Sequence, residues 1–152
     1  MKLKRVLTVC AGNICRSPMA EHWLRGQLHG LDVSSAGLTA LVGQPIDPGS
    51  QHALQQLGMD ASEHRARQLA EWMVDHASLI LVAELRHKQH IERLYPQARG
   101  RVFRMGEAQQ MDIADPYRHG REHHSACLHS ITQGLTPWAH RIRSLGYESL
   151  QS

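Results

Sequence analysis

Val6-Leu7-Thr8-Val9-Cys10-Ala11-Gly12-Asn13-Ile14-Cys15-Arg16-Ser17-Pro18 lies near the start of this 152-residue chain. Val6 to Val9 is a short β-branched apolar run, the pattern of a strand buried on both faces. The next residues include Gly12 and Asn13, which tolerate left-handed backbone, so the strand is expected to end in a tight loop. Ser17 and Pro18 read as an N-cap and a first helical residue, and Met19, Trp23, Leu24 and Leu28 follow at helical spacing. Strand, loop and helix make the first half of a βαβ unit.

The alternation continues outward from there. Asp32 to Ser35 is a second short strand, and residues 37–49, with Pro45 and Pro48, form a loop feeding a helix around Gln51 to Leu57. Ala66 to Trp72 suggest another helix. Leu79 to Ala83 is the clearest central strand, and Glu84 to Leu94 behind it has helical spacing. Arg101 to Met105 is a fourth strand, followed by a loop through Asp112 to Arg118 and a long closing helix from about Arg121 to Leu145. The expectation is a single α/β domain over residues 1–152, an open parallel sheet of about four strands with helices on both faces. Ligands of such sheets bind beyond the carboxyl ends of the strands, where the loop from Cys10 to Ser17 must lie.

Composition narrows the function classes. Hydrophobic residues at 41% and charged residues at 20% are globular values. Residues 3–10 are too short and too interrupted by charge to span a bilayer, and the basic start is followed by no signal-peptide pattern, so a cytoplasmic protein without membrane insertion is expected. Three cysteines, two of them close together, fit a reducing compartment better than a disulfide framework. The net charge of +3 comes mostly from arginines interleaved with acids, and aromatics are only 5%, so a nucleic-acid platform is not supported.

The loop itself carries chemistry. Cys10 and Arg16 are separated by five residues, immediately before a helix N-terminus. A loop of that length can wrap a tetrahedral oxyanion with inward backbone N–H groups from Ala11 to Cys15, Arg16 closing the ring with a bidentate contact. The same field favours a thiolate at Cys10, and Ser17 can donate its hydroxyl to that sulfur.

With these residues the chain resembles the low-molecular-weight protein tyrosine phosphatases, whose fold is flavodoxin-like. Val9 to Pro18 matches that family's phosphate loop, and Asp115-Pro116-Tyr117 matches its second signature, which carries the general acid. Ser35-Ala36-Gly37, Gly43-Gln44-Pro45, His64-Arg65-Ala66-Arg67-Gln68 and the strand Leu79 to Val82 look like family landmarks in the right order. The resemblance implies a phosphocysteine intermediate on Cys10, with Arg16 and the loop residues Ala11, Gly12, Asn13, Ile14, Cys15 and Ser17 holding the phosphate. It also implies Asp115 as general acid, Ser35 and His64 as supports of Asn13, Leu41 and Tyr117 as cleft walls, and no cofactor or metal. Leu41 before Val42-Gly43, and Asp-Pro-Tyr followed by Arg118, look like the bacterial branch associated with exopolysaccharide export. That branch implies phosphotyrosine proteins as partners, a bacterial tyrosine kinase among them, and inorganic phosphate as product. Chemistry asks for the acid independently, because an aryl phosphate needs a proton delivered to its leaving oxygen.

Other readings compete. Arsenate reductases share the loop but need further cysteines to relay a disulfide, and Cys127 is the only one outside it. A non-catalytic oxyanion-binding or kinase-docking module would not need Cys10, Arg16 and Asp115 together. His119, His123 and Cys127 fall on one helical face, yet the spacing lacks the tight ligand pairs of zinc sites. Arginine phosphatases of this fold carry a threonine between the loop asparagine and the next cysteine. Ile14 instead offers a hydrocarbon wall suited to a phenyl ring.

Overall fold

The structure, a computed structural model, describes residues 2–150. Four strands, β1 (Arg5–Cys10), β2 (Asp32–Gly37), β3 (Leu79–Val82) and β4 (Val102–Arg104), form one parallel sheet in the order β2-β1-β3-β4. The five α-helices are α1 (Arg16–Gln27), α2 (Pro48–Gln56), α3 (Glu71–His76), α4 (Leu85–Leu94) and α5 (Arg121–Leu145). The expected α/β sheet with helices on both faces is therefore present. Val6 and Cys10 of β1 pack with residues of α1, α2 and α5, whereas Leu7 and Val9 point the other way, among Met73, Val74 and Ile91 of α3 and α4. A central strand covered on both faces has no use for polar alternation, and β1 and β3 read accordingly as continuous apolar runs. Leu24, Ile131 and Leu135 are fully buried between the helices, each contributing about 1.5–3 kcal/mol of transfer free energy.

The register positions the site. Cys10 pairs with Gly37 and Val9 with Val82, so β1, β2 and β3 end at one level and their following loops meet there. Gly37 admits no side chain at this point, since an added Cβ would stand 2.5 Å from the Ala11 carbonyl oxygen.

Three sequence expectations are corrected. The first helix starts at Arg16, not Pro18, and its N-cap is Cys15, not Ser17: Cys15 makes no side-chain cap, and Ser17 and Pro18 lie inside the first turn. Proline is tolerated there because first-turn N–H groups have no intrahelical acceptor, and the Ser17 hydroxyl is released for another partner. The helix expected over 66–72 begins only at Glu71. Residues 66–69 are held extended because their backbone bonds run sideways: Gly37 N donates to the Arg67 carbonyl at 3.0 Å and Leu69 N to the Gly37 carbonyl at 2.9 Å. The helix expected from Gln51 starts earlier, at Pro48, because Asp47 caps it by accepting from Gly49 N at 2.9 Å.

α5 contains a proline in mid-helix, Pro137. It has no N–H for the Gln133 carbonyl, and the Gln109 side-chain amide donates there instead at 3.0 Å. One turn away, Gly134 lets the end of β4 approach closely, an added Cβ standing 2.9 Å from the Met105 carbonyl oxygen.

Candidate active site

The loop between β1 and α1 is braced from within. Asn13, wholly buried, sits in the left-handed region at φ 60°, a conformation asparagine tolerates better than most residues. Its Nδ2 donates to Ser17 Oγ at 2.8 Å and to Ser35 Oγ at 3.0 Å, and its Oδ1 accepts from Arg67 N at 2.9 Å. Its carbonyl accepts from His64 Nε2 at 2.6 Å, which fixes the proton of that imidazole on Nε2. Burial holds His64 below the usual histidine pKa despite this bond. Ser35 donates its own hydroxyl hydrogen bond to Glu21 Oε1 at 2.6 Å.

The direction of the network follows from donor counting. Asn13 gives both amide hydrogens to hydroxyls, so Ser17 Oγ accepts there and its single hydrogen is free for Cys10 Sγ, 2.9 Å away. Ser17 N also points at that sulfur, at 3.4 Å. Cys10 thus sits at the end of a strand and at the mouth of a helix N-terminus, facing two donors. Such an arrangement stabilises a sulfur anion. Gly12 does not take the left-handed conformation expected of it; Asn13 does. A Cβ at Gly12 would instead stand on the cleft wall, 3.8 Å from Leu41 and Ile14.

Arg16 is 1% exposed and held by two acceptors, Glu84 Oε2 at 2.5 Å and the Ile113 carbonyl at 2.8 Å. Its other terminal nitrogen lies 3.7 Å from Asp115 Oδ2. Glu84 was missed by sequence reasoning, which took it as the start of a helix. Its position directly after the central strand, at the carboxyl edge of the sheet, was the available signal. Burial works against the Glu84 carboxylate, but bonds from Arg86 and Arg16 outweigh it and hold its pKa down to about 2. His87 beneath it is held down to about 4, by burial and then by Arg16.

Above the loop is a cleft of about 200 Å³. Cys10, Arg16 and the loop backbone form its floor; Ile14, Leu41, Asp115 and Tyr117, all expected there, line it with Thr39, which was not. Asp115 is about half-exposed, and its Oδ1 accepts from Tyr117 N at 3.0 Å. A sheet edge that concentrates an oxyanion cradle, a thiol and an opposed carboxyl can transfer a phosphoryl group and protonate what leaves.

Behind the loop, Cys15 Sγ, an Asp47 carboxylate oxygen and a His124 ring nitrogen lie within 4.8 Å of one another, a donor set of metal-ligand type. In the structure these atoms serve each other and the backbone. Ser50 Oγ lies 2.8 Å from His124 Nδ1, and Asp47 caps α2. Burial pushes the Cys15 thiol well above its usual pKa. The face holding His119, His123 and Cys127 does not converge: the two histidine rings stack at 4.7 Å near the surface, whereas Cys127 is buried and its thiol reaches the Ala114 carbonyl at 3.5 Å.

Residues 5–148 match the family model described as low molecular weight phosphotyrosine protein phosphatase. The chain belongs to the low-molecular-weight phosphotyrosine phosphatases. This phosphatase is 48% identical over 144 residues to the "Probable low molecular weight protein-tyrosine-phosphatase EpsP" of Ralstonia nicotianae, a match covering 95% of this chain and 99% of that protein. Its fold superposes on the tyrosine phosphatase Wzb from Escherichia coli K30 in complex with sulphate, with a TM-score of 0.88, 31% identity, and 92% and 99% of the two chains covered. It also superposes on the YwlE arginine phosphatase from Geobacillus stearothermophilus, with a TM-score of 0.87, 32% identity, and 93% and 94% covered. Within the phosphatase, no helix among the described residues is long and apolar enough to cross a membrane.

Proposed function

We propose that this phosphatase hydrolyses phosphotyrosine in proteins in two steps through Cys10. The Cys10 thiolate attacks phosphorus in line, and Arg16 with the loop N–H groups holds the equatorial oxygens. Asp115 protonates the departing phenolate oxygen. Water then attacks the phosphocysteine, ionised Asp115 takes its proton, and inorganic phosphate leaves with the Cys10 thiolate restored. The observation that carries this reading is the Ser17 hydroxyl held against Cys10 Sγ beneath the floor of a cleft whose wall holds Asp115. The test is acid quenching after mixing with p-nitrophenyl phosphate: wild type carries one phosphoryl group on Cys10, and a protein quenched without one refutes the mechanism. By its resemblance to the exopolysaccharide branch, the partner is a cytoplasmic tyrosine kinase of the export system. Failure to dephosphorylate such a kinase, alongside good turnover of other phosphotyrosine proteins, would exclude it.

Arginine dephosphorylation is the second reading, favoured by the likeness to an arginine phosphatase. Ile14 decides against it. Its side chain lines the cleft beside Leu41, and a guanidinium leaving group would find no hydrogen-bond partner on that wall. Matched peptides should show kcat/KM strongly favouring phosphotyrosine over phosphoarginine, with Ile14→Thr shifting the ratio toward arginine. An unchanged ratio removes residue 14 from specificity.

A further inference from the structure

A second groove, of about 330 Å³, adjoins the cleft and shares Ala11 and Thr39 with it. Its far wall is α4, which presents Arg86, His90 and Arg93, at i, i+4 and i+7, along one face. His87 lies under them, buried and held neutral near pH 7. All the ionisable residues lining the groove are basic. Arg86 is paired with Glu84, but Arg93 and His90 have no ion-pair or side-chain hydrogen-bond partner among the described residues. The nearest acid on the helix, Glu92, is taken by Lys88 at 3.1 Å. A solvated helix face would mix signs along its length; this one offers only basic side chains, and no acid, toward a concavity that opens into the catalytic cleft.

We infer that the α4 groove reads acidic side chains flanking the phosphotyrosine of a peptide substrate. This deepens the proposed function and rests on it. A peptide whose phosphotyrosine enters over Cys10 crosses the Ala11–Thr39 saddle to leave along α4, which brings side chains a few positions from the phosphotyrosine to Arg93 and His90. Aspartate or glutamate there satisfies both without burying a charge, so the gain lies in encounter and orientation and falls with salt. Arg86 contributes less, because Glu84 already neutralises it.

The test uses matched phosphotyrosine peptides carrying Glu, Gln or Lys at the two to four positions on either side, with wild type, Arg93→Glu and the milder Arg93→Gln. At low salt, kcat/KM for Glu-flanked peptides should exceed that for Gln-flanked ones by on the order of 5- to 10-fold, and 0.5 M salt should erase most of the difference. Arg93→Glu should invert the order toward Lys-flanked peptides, and Arg93→Gln should abolish it. Turnover of p-nitrophenyl phosphate, which does not reach the groove, should stay unchanged and thereby report intact folding. Equal kcat/KM on Glu- and Gln-flanked peptides, or a preference for a flanking phosphoserine with none for glutamate, overturns the inference. If no phosphotyrosine peptide is cleaved whatever its flanks, the underlying phosphotyrosine reading fails instead.

Discussion

The two walls of the cleft are built to opposite specifications. On the floor, Asn13, Arg16 and Ser17 are all but completely buried: Asn13 bonds Ser35 and Arg67, Arg16 bonds Glu84 and Ile113, and the Ser17 hydroxyl lies between Asn13 and Cys10. On the other wall, Asp115 and Tyr117 are partly open to water. The bonds that shape this loop are mostly its own, Tyr117 N to Asp115 and His119 N to Pro116, with the Arg118 guanidinium over the Tyr117 ring. The floor is preorganised for an oxyanion whose shape does not change between substrates, and the wall is left free to adjust to the leaving group that does.

Substitutions at the floor and the wall should therefore fail differently. Cys10→Ser, on the floor, should lower phosphate-ester hydrolysis on the order of 10⁴-fold or more while phosphate binding and thermal stability persist; calorimetry with phosphate and a turnover assay check both. Substantial residual turnover would mean that another group attacks. Asp115→Asn should reduce kcat by roughly 10²- to 10⁴-fold for poor leaving groups and far less for strongly acidic phenols. A uniform loss across leaving groups would make Asp115 a binding residue.

Asn13→Ala tests the bracing itself. It removes three side-chain bonds and places alanine at a positive φ, so urea denaturation should show a loss of about 2–4 kcal/mol together with impaired kcat, whereas Tyr117→Ala should leave stability within about 0.5 kcal/mol. Equal destabilisation by the two would erase the contrast. The smallest effect concerns acid. His87 is held at about 4 in the fold against an ordinary value of 6.5, so the unfolded chain binds the extra proton between those values and stability falls as pH drops through that window. The Glu84 contribution, held at about 2 against 4.5, is present above 4.5 and is lost only below it. Urea midpoints should thus report roughly 2 kcal/mol lost between pH 7 and 4.5, and His87→Leu should flatten that slope.

Legibility followed the same divide. Strands β1 and β3 were readable because a parallel strand covered on both faces is apolar at every position. The phosphate loop was readable because its chemistry is compressed into one short stretch. The start of α3 was misread, since the bonds that keep residues 66–69 extended come from Asn13 and Gly37, far away in sequence. Glu84 was missed for a related reason. Nothing local distinguishes it from a helix cap, and only the strand order brings it under Arg16. The groove along α4 likewise exists only once that helix lies beside the loop after β2.

Pro137 shows what a gap in a regular ladder can be used for. A helix with every rung filled presents the same backbone surface at each turn and gives an incoming segment no landmark. With one rung missing, the Gln133 carbonyl becomes an address, and Gln109 occupies it. Gln109 belongs to the stretch that connects β4 to Ile113, whose carbonyl Arg16 holds. The connection is thus tied down, at Gln109 and again at Asp112 and Ile113, before the chain reaches Asp115. Any swing of the acid loop must pivot beyond Ile113, on a short arm that ends at the first turn of α5. In the proposed mechanism, the proline shortens the lever that delivers the proton.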